Sequence, residues 1–315
     1  MASSAPARPS LWPHRLAVVT AGATFVLIFV GGLVTNTGSA LAVPDWPTTF
    51  GYNMFLYPWS KMVGGVFYEH THRLIGSLVG LLTVSFAVSV WLTETRRWVR
   101  RLAGVAVAAV IVQGILGGLR VVLLQHGLAI VHGCVAEAFF ALMVSLAVWT
   151  SSRWRAASAP ARLRDAPRLR ALALALLPSV YLQIMLGALV THRGARVDAH
   201  LLGAAVVTTV ICLLAGRVVR EHADRPELRR PALALFVLLL VQLGLGLGAY
   251  LWRFTALSAA MSPALGLALQ SVHRSTGAAL WATAVVLALR VLRLVGVRQT
   301  AAATATERSL SEVLA

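Results

Sequence analysis

Three observations predict an all-α integral membrane protein of eight transmembrane helices, arranged as two pseudo-symmetric four-helix bundles. The 315 residues are 58% hydrophobic and 12% charged, with a mean hydropathy of +0.77, a composition that excludes a water-soluble core. Eight apolar runs recur, each near the roughly 20 residues that cross a bilayer as helix. The second half of the chain repeats motifs of the first. The net charge of +17 could suit nucleic acid, but the arginines fall in short segments between the runs and form no basic face. Topology accounts for them, and no nucleic-acid partner is expected.

The runs lie near residues 15–36, 68–92, 102–121, 127–150, 171–191, 199–216, 231–252 and 265–289. Residues 1–14 read as a cytoplasmic N-terminus. The first run is too long for a signal sequence and reads as a retained helix, although Ser39-Ala40-Leu41-Ala42 loosely resembles a cleavage site. Residues 15–150 form the N-terminal bundle, with a polar and aromatic external loop over 36–65. Residues 151–170 form an arginine-rich linker, 171–290 the C-terminal bundle, and 291–315 a cytoplasmic tail whose end, from Gln299, reads as frayed. Arg96, Arg97, Arg100 and Arg101 follow the second run. Six arginines lie between Arg153 and Arg170, and five between Arg217 and Arg230. The positive-inside rule makes these loops and both termini cytoplasmic in a multi-pass plasma-membrane protein.

The repeat is visible in register. Gly31-Gly32-Leu33-Val34-Thr35 closes the first run and Gly187-Ala188-Leu189-Val190-Thr191 the fifth. Gln113-Gly114-Ile115-Leu116-Gly117 resembles Gln242-Leu243-Gly244-Leu245-Gly246. His72 precedes Gln113 by 41 positions, and His200 precedes Gln242 by 42. Such duplication is common in membrane folds, and the glycines would let helices approach closely. The halves differ in the long external loop and in Glu69, which suggests one catalytic and one supporting half. Cys134 and Cys212 sit in different runs and read as small buried hydrophobes.

His72, His132, His200 and His273 stand near the outer ends of alternate runs. Imidazoles paired from two helices of a bundle are suited to gripping haem iron axially, because a neutral ring nitrogen donates at pH 7. A hydrogen bond to a neighbouring helix is the alternative for any one of them. Glu69, His72 and Arg73 share a helical face, being three and four positions apart. His70 is turned about 200° from His72 and takes a loop-facing or headgroup position. His132 lies inside its run and is a better ligand than His126, which reads as part of a turn. His14, His192 and His222 read as solvated surface. Arg73 and Arg274 each follow a key histidine and suit a haem propionate or snorkel to headgroups.

These motifs resemble those of the heme A synthase family. The resemblance rests on Glu69-x-x-His72-Arg73, the loop from Thr37 through Pro44-Asp45-Trp46-Pro47 to Gly51, the Gln-x-x-Leu-Gly-Gly run at 113–118, Leu186-Gly187-Ala188-Leu189-Val190-Thr191, and the later His200 and His273. It implies that the N-terminal half receives heme O near Glu69, His72 and His132. It also implies that His200 and His273 hold a heme b cofactor, with Arg274 at its propionate. The implied reaction oxidises the C8 methyl of heme O to a formyl group by successive hydroxylations, for terminal oxidase assembly. Glu69 would be the acid/base or intermediate-stabilising carboxylate, and Arg73 would help bind the substrate heme. Implied partners are heme O, the lipid bilayer and an electron acceptor that the sequence does not identify; a heme O synthase and a second copy of the chain stay open. Many bacterial members carry a cysteine pair in the first external loop, where this chain has Val43 and Thr49. A bis-histidine diheme membrane cytochrome in electron transfer would share the four histidines without needing Glu69. A small-molecule transporter would share the repeat.

Overall fold

The computed structural model describes residues 10–156 and 165–313, with side chains described as far as Val295 apart from that of His126. Arg8 and the part of the arginine-rich linker over 157–164, including Arg162 and Arg164, lie outside the described residues. Among the described residues nine α-helices follow in order: α1 Trp12–Asn36, α2 Gly64–Thr93, α3 Arg97–Val122, α4 His126–Thr150, α5 Ser152–Ala156, α6 Ala166–Arg193, α7 Val197–Glu221, α8 Pro226–Phe254 and α9 Pro263–Val313. All but the short α5 contain a stretch long and apolar enough to cross a membrane, and no strand occurs among the described residues. The backbone of α9 stays helical to Val313, past the frayed end expected from Gln299.

An apolar medium requires each helix to satisfy its own backbone, and hydroxyls within it must find acceptors. Thr20, Thr24, Thr35, Thr83 and Thr150 each donate back to the carbonyl four residues earlier, which makes polar side chains tolerable inside these runs. α6 ends on Gly194 at φ 61°, the left-handed position that glycine adopts without strain.

The chain divides into two compact units. One comprises residues up to Arg155 together with Leu245–Ala278; the other comprises Ala156–Gly244 with Ala279 onward. The break near Arg155 falls inside the expected linker, and the end of α8 with the start of α9, Leu245–Ala278, belongs to the same unit as α1 to α4. Within the first unit α1 packs on α2 and α4, α2 on α3, and α3 on α4. His14 Nδ1 lies 2.9 Å from the Ala147 carbonyl, so this histidine helps pin α1 to α4 and is only partly exposed. In the second unit α6 packs on α7. There Arg217 pairs with Asp165. His222 is buried, contrary to the solvated position expected from its arginine-rich surroundings. Cys134 is buried as expected, whereas Cys212 is exposed on α7.

Candidate functional site

The loop between α1 and α2 is held down by the motif at the start of α2. One turn of helix places Glu69 and Arg73 in contact, and they form a salt bridge at 2.9 Å. The Glu69 carboxylate, 4% exposed, also accepts the Val43 N–H at 3.0 Å. Arg73 donates from Nη1 to the carbonyls of Asp45 and Thr48 and from Nη2 to that of Val43. The two terminal nitrogens of Arg73 therefore already have four acceptors. They fasten the loop, a role that neither a propionate nor a headgroup describes.

Asp45 organises the loop from within. It accepts the N–H groups of Phe50 and Gly51 and the hydroxyl of Thr48. Burial pushes its carboxyl up, but the bonds from Gly51, Thr48 and Phe50 outweigh burial and hold it below the ordinary value. The preceding glutamate-helix face continues the clasp through His70, which is 1% exposed. Its Nδ1 lies 3.1 Å from Thr49 Oγ1, and its ring packs on Tyr57 with centroids 5.1 Å apart. His70 is loop-facing, and the headgroup alternative falls away. Trp46 lies so close against Gly118 of α3 that a side chain there would overlap the indole.

Beneath this loop, His72 of α2 and His132 of α4 come together edge to face, their ring centroids 6.4 Å apart. The Nδ1 atoms of both rings are buried without a hydrogen-bond partner. Each ring rests on a glycine of the preceding helix. A Cβ at Gly31 would lie 3.0 Å from His72 Cε1, and one at Gly117 would lie 3.2 Å from His132 Cε1. The same seat recurs twice more: Gly187 faces His200 at 3.2 Å, and Gly246 faces His273 at 2.9 Å. Four helix pairs thus repeat one local design, glycine on the first helix and histidine on the second. Glutamine four residues before the glycine adds a second point of attachment. Gln113 donates to the carbonyl of His132 at 3.1 Å and Gln183 to that of His200 at 2.9 Å.

The expected pairs fare differently. His72 and His132 are brought together with Glu69 and Arg73 in the first unit. Of the other pair, His273 belongs to the first unit and His200 to the second. Arg274 reaches α1 and α4: a Cβ at Gly32 would lie 3.3 Å from its Cδ, and one at Gly133 would lie 3.4 Å from its Nη2. Sequence reasoning missed Glu137 of α4, which is 6% exposed, and gave no role to Arg120 or Gln183. A signal for Gln183 existed: Gln-x-x-x-Gly occurs at 113–117, 183–187 and 242–246.

No group of three or more histidine, cysteine, aspartate or glutamate side chains capable of holding a metal occurs among the described residues. Histidine pairs alone suit a metal that brings its remaining ligands with it, as iron in a porphyrin does. His72 and His132, with ring centroids 6.4 Å apart, are the residues that would hold such a group.

The fold and site together define a multi-pass membrane protein built on seated histidines under a clasped loop. A family model described as cytochrome oxidase assembly protein matches residues 56–201, a stretch that includes Glu69, His72, Arg73, His132 and His200. The chain is 36% identical over 120 residues to heme A synthase of Shouchella clausii, a stretch covering 36% of this chain and 37% of that protein. It is 30% identical over 102 residues to heme A synthase of Alkalihalophilus pseudofirmus, covering 32% and 33%. The chain thus spans about a third of the length of the curated relatives it matches. Over these stretches the chain is similar to proteins named heme A synthase.

Proposed function

We propose that this protein is a heme A synthase, converting the C8 methyl of heme O to a formyl group for terminal oxidase assembly. The observation that carries the reading is the His72–His132 pair, two glycine-seated imidazoles with unsatisfied ring nitrogens beneath a loop clasped by Glu69 and Arg73. The relatives named heme A synthase add to it.

In this reading heme O sits at His72 and His132 in the first unit. The conversion adds one water oxygen and releases four electrons and four protons, so an oxidant is required; heme b at His200 and His273 would pass electrons to an acceptor. Glu69 shares a helical face with His72 and is the carboxylate placed to move protons near the substrate. The loop over 37–63 would shield the pair from water, while the glycine seats position the imidazoles and Gln113 holds the main chain at His132. Both termini face the cytoplasm in this reading, which the arginine-rich loops support through the positive-inside rule.

Extraction of the bound haems from the purified protein and their identification by mass tests this. Heme b together with heme O or its oxidised products is expected. Retention of b-type haem alone, with no conversion of added heme O, would favour a bis-histidine electron-transfer cytochrome; no haem at all would leave a transporter.

A further inference from the structure

The histidine pair is flanked by cations that the loop does not use. Arg120 of α3 is seven residues beyond Gln113 and three beyond Gly117, so it shares the face that meets His132. Arg274 reaches from α9 into the same space, between Gly32 of α1 and Gly133 of α4. Both guanidiniums act electrostatically on His72 and on His132, and on one another. The acidic groups within electrostatic reach are Glu69 for Arg120, and Glu137 with the Cys134 thiol for Arg274.

Two guanidiniums at membrane depth are costly unless anions meet them. The carboxylates at hand do not suffice. Glu69 is already taken by Arg73 and the Val43 N–H. Glu137, on the helical face of Gly133, lies within electrostatic reach of Arg274. Arg73, Arg120 and Arg274 against Glu69 and Glu137 still leave positive charge in excess.

The geometry points to Arg120 and Arg274 as a two-pronged anion site that binds the propionate carboxylates of a porphyrin held at His72 and His132. A planar guanidinium offers a carboxylate two parallel N–H donors, and two such forks fit a dicarboxylate. The pair also orients the substrate. The methyl that is oxidised shares a pyrrole ring with one propionate, and Arg120 is within electrostatic reach of Glu69. Anchoring that propionate brings the reactive edge toward the Glu69 side of the pocket. Glu137 then acts as a positioning residue that steadies Arg274.

This inference rests on the proposed placing of the substrate at His72 and His132, and binding tests it separately from turnover. Full-length protein carrying His200→Ala, which confines the readout to the N-terminal histidines, is titrated with iron protoporphyrin IX and with its dimethyl ester, followed by the Soret absorbance. The free acid should bind about 10- to 100-fold more tightly than the ester, the range for losing charge-assisted hydrogen bonds. Arg120→Gln and Arg274→Gln should each erase most of that preference and leave ester affinity unchanged. The ester therefore reports that the pocket is intact. Arg120→Lys and Arg274→Lys should restore part of the preference. Equal affinity for acid and ester, or a preference that survives Arg120→Gln and Arg274→Gln combined, overturns the anion site alone. If neither porphyrin gives a signal that His72→Ala removes, the histidine-pair reading fails, and the anion site with it.

Discussion

The peptide N–H of Val43 donates to Glu69 Oε2 at 3.0 Å, tying the loop between α1 and α2 to the second helix across 26 positions of sequence. Six residues along the loop, Thr49 Oγ1 meets His70 Nδ1 at 3.1 Å. By the sequence resemblance to heme A synthases, Val43 and Thr49 stand where many bacterial members carry a cysteine pair. In this chain the same two points are fastened to α2 by polar contacts. Glu69 and Arg73 thus serve a structural purpose beside any chemical one, and a variant at Glu69 must be read for both.

Glu69→Gln keeps an acceptor for the Val43 N–H but removes the charge that pairs with Arg73. Heme A formation should fall at least about 10²-fold, the lower range for losing a general acid–base group. Heme O or a hydroxylated product should accumulate with the b-type spectrum intact. Glu69→Ala should in addition free the loop, because it leaves Arg73 buried without its partner, a loss worth about 3–5 kcal/mol. Protease cleavage within 37–63 would report it. Near-normal heme A output from Glu69→Gln, in cells lacking the native enzyme, would remove Glu69 from the chemistry.

Asp45 makes loop closure depend on pH with a defined sign. Its carboxyl is held below the ordinary value of 3.8 in the fold, so the unfolded loop binds more protons in that range. The stabilisation is therefore complete above 3.8 and is lost as pH falls through the depressed folded value. Hydrogen exchange at Phe50 and Gly51 should accelerate below pH 4, the side on which Asp45 becomes protonated. Asp45→Asn should exchange faster at neutral pH and show little further change on acidification. An unaltered pH profile in Asp45→Asn would mean that another group governs closure.

The eight spans were legible because bilayer thickness dictates the length of apolar helices, and all eight expected runs coincide with helices. His72 and His132 were legible because costly imidazoles recur in register. The fastening role of Arg73 was not, because its acceptors are main-chain carbonyls and any loop sequence supplies those. Arg274 was assigned by its neighbour in sequence, His273, but a long flexible side chain on a helix can serve a different helix pair. Glu137 was missed since nothing local marks it: its meaning comes from an arginine 137 positions away.

The membrane orientation proposed from the arginine distribution is open to a direct test. Trp59, in the loop between α1 and α2, is 78% exposed, and Asp224, between α7 and α8, is exposed as well. With Cys134 and Cys212 replaced by alanine, a cysteine at residue 59 should react with a membrane-impermeant maleimide in intact cells. One at residue 224 should react only after permeabilisation. The reverse pattern, or equal labelling, would refute cytoplasmic termini.

The glycine seats make the most discriminating prediction. At Gly117 a Cβ would stand 3.2 Å from His132 Cε1, whereas at Gly114, one turn earlier on the same helix, nothing lies within 4 Å. Both substitutions to alanine raise helix propensity equally, so their difference isolates the contact with the imidazole. Gly117→Ala must push the ring or separate α3 from α4, an overpacking cost of about 1–3 kcal/mol. Gly114→Ala should be neutral. The same logic applies to Gly246, where the Cβ would approach His273 Cε1 to 2.9 Å. Haem retained per protein by Gly117→Ala and Gly246→Ala should drop well below that of Gly114→Ala at equal membrane insertion. Loss of b-type absorbance in Gly246→Ala and His200→Ala, with porphyrin binding at His72 and His132 preserved, would assign heme b to the second histidine pair. Normal haem content in both seat variants would show that the glycines serve helix approach alone and that the imidazoles need no fixed position.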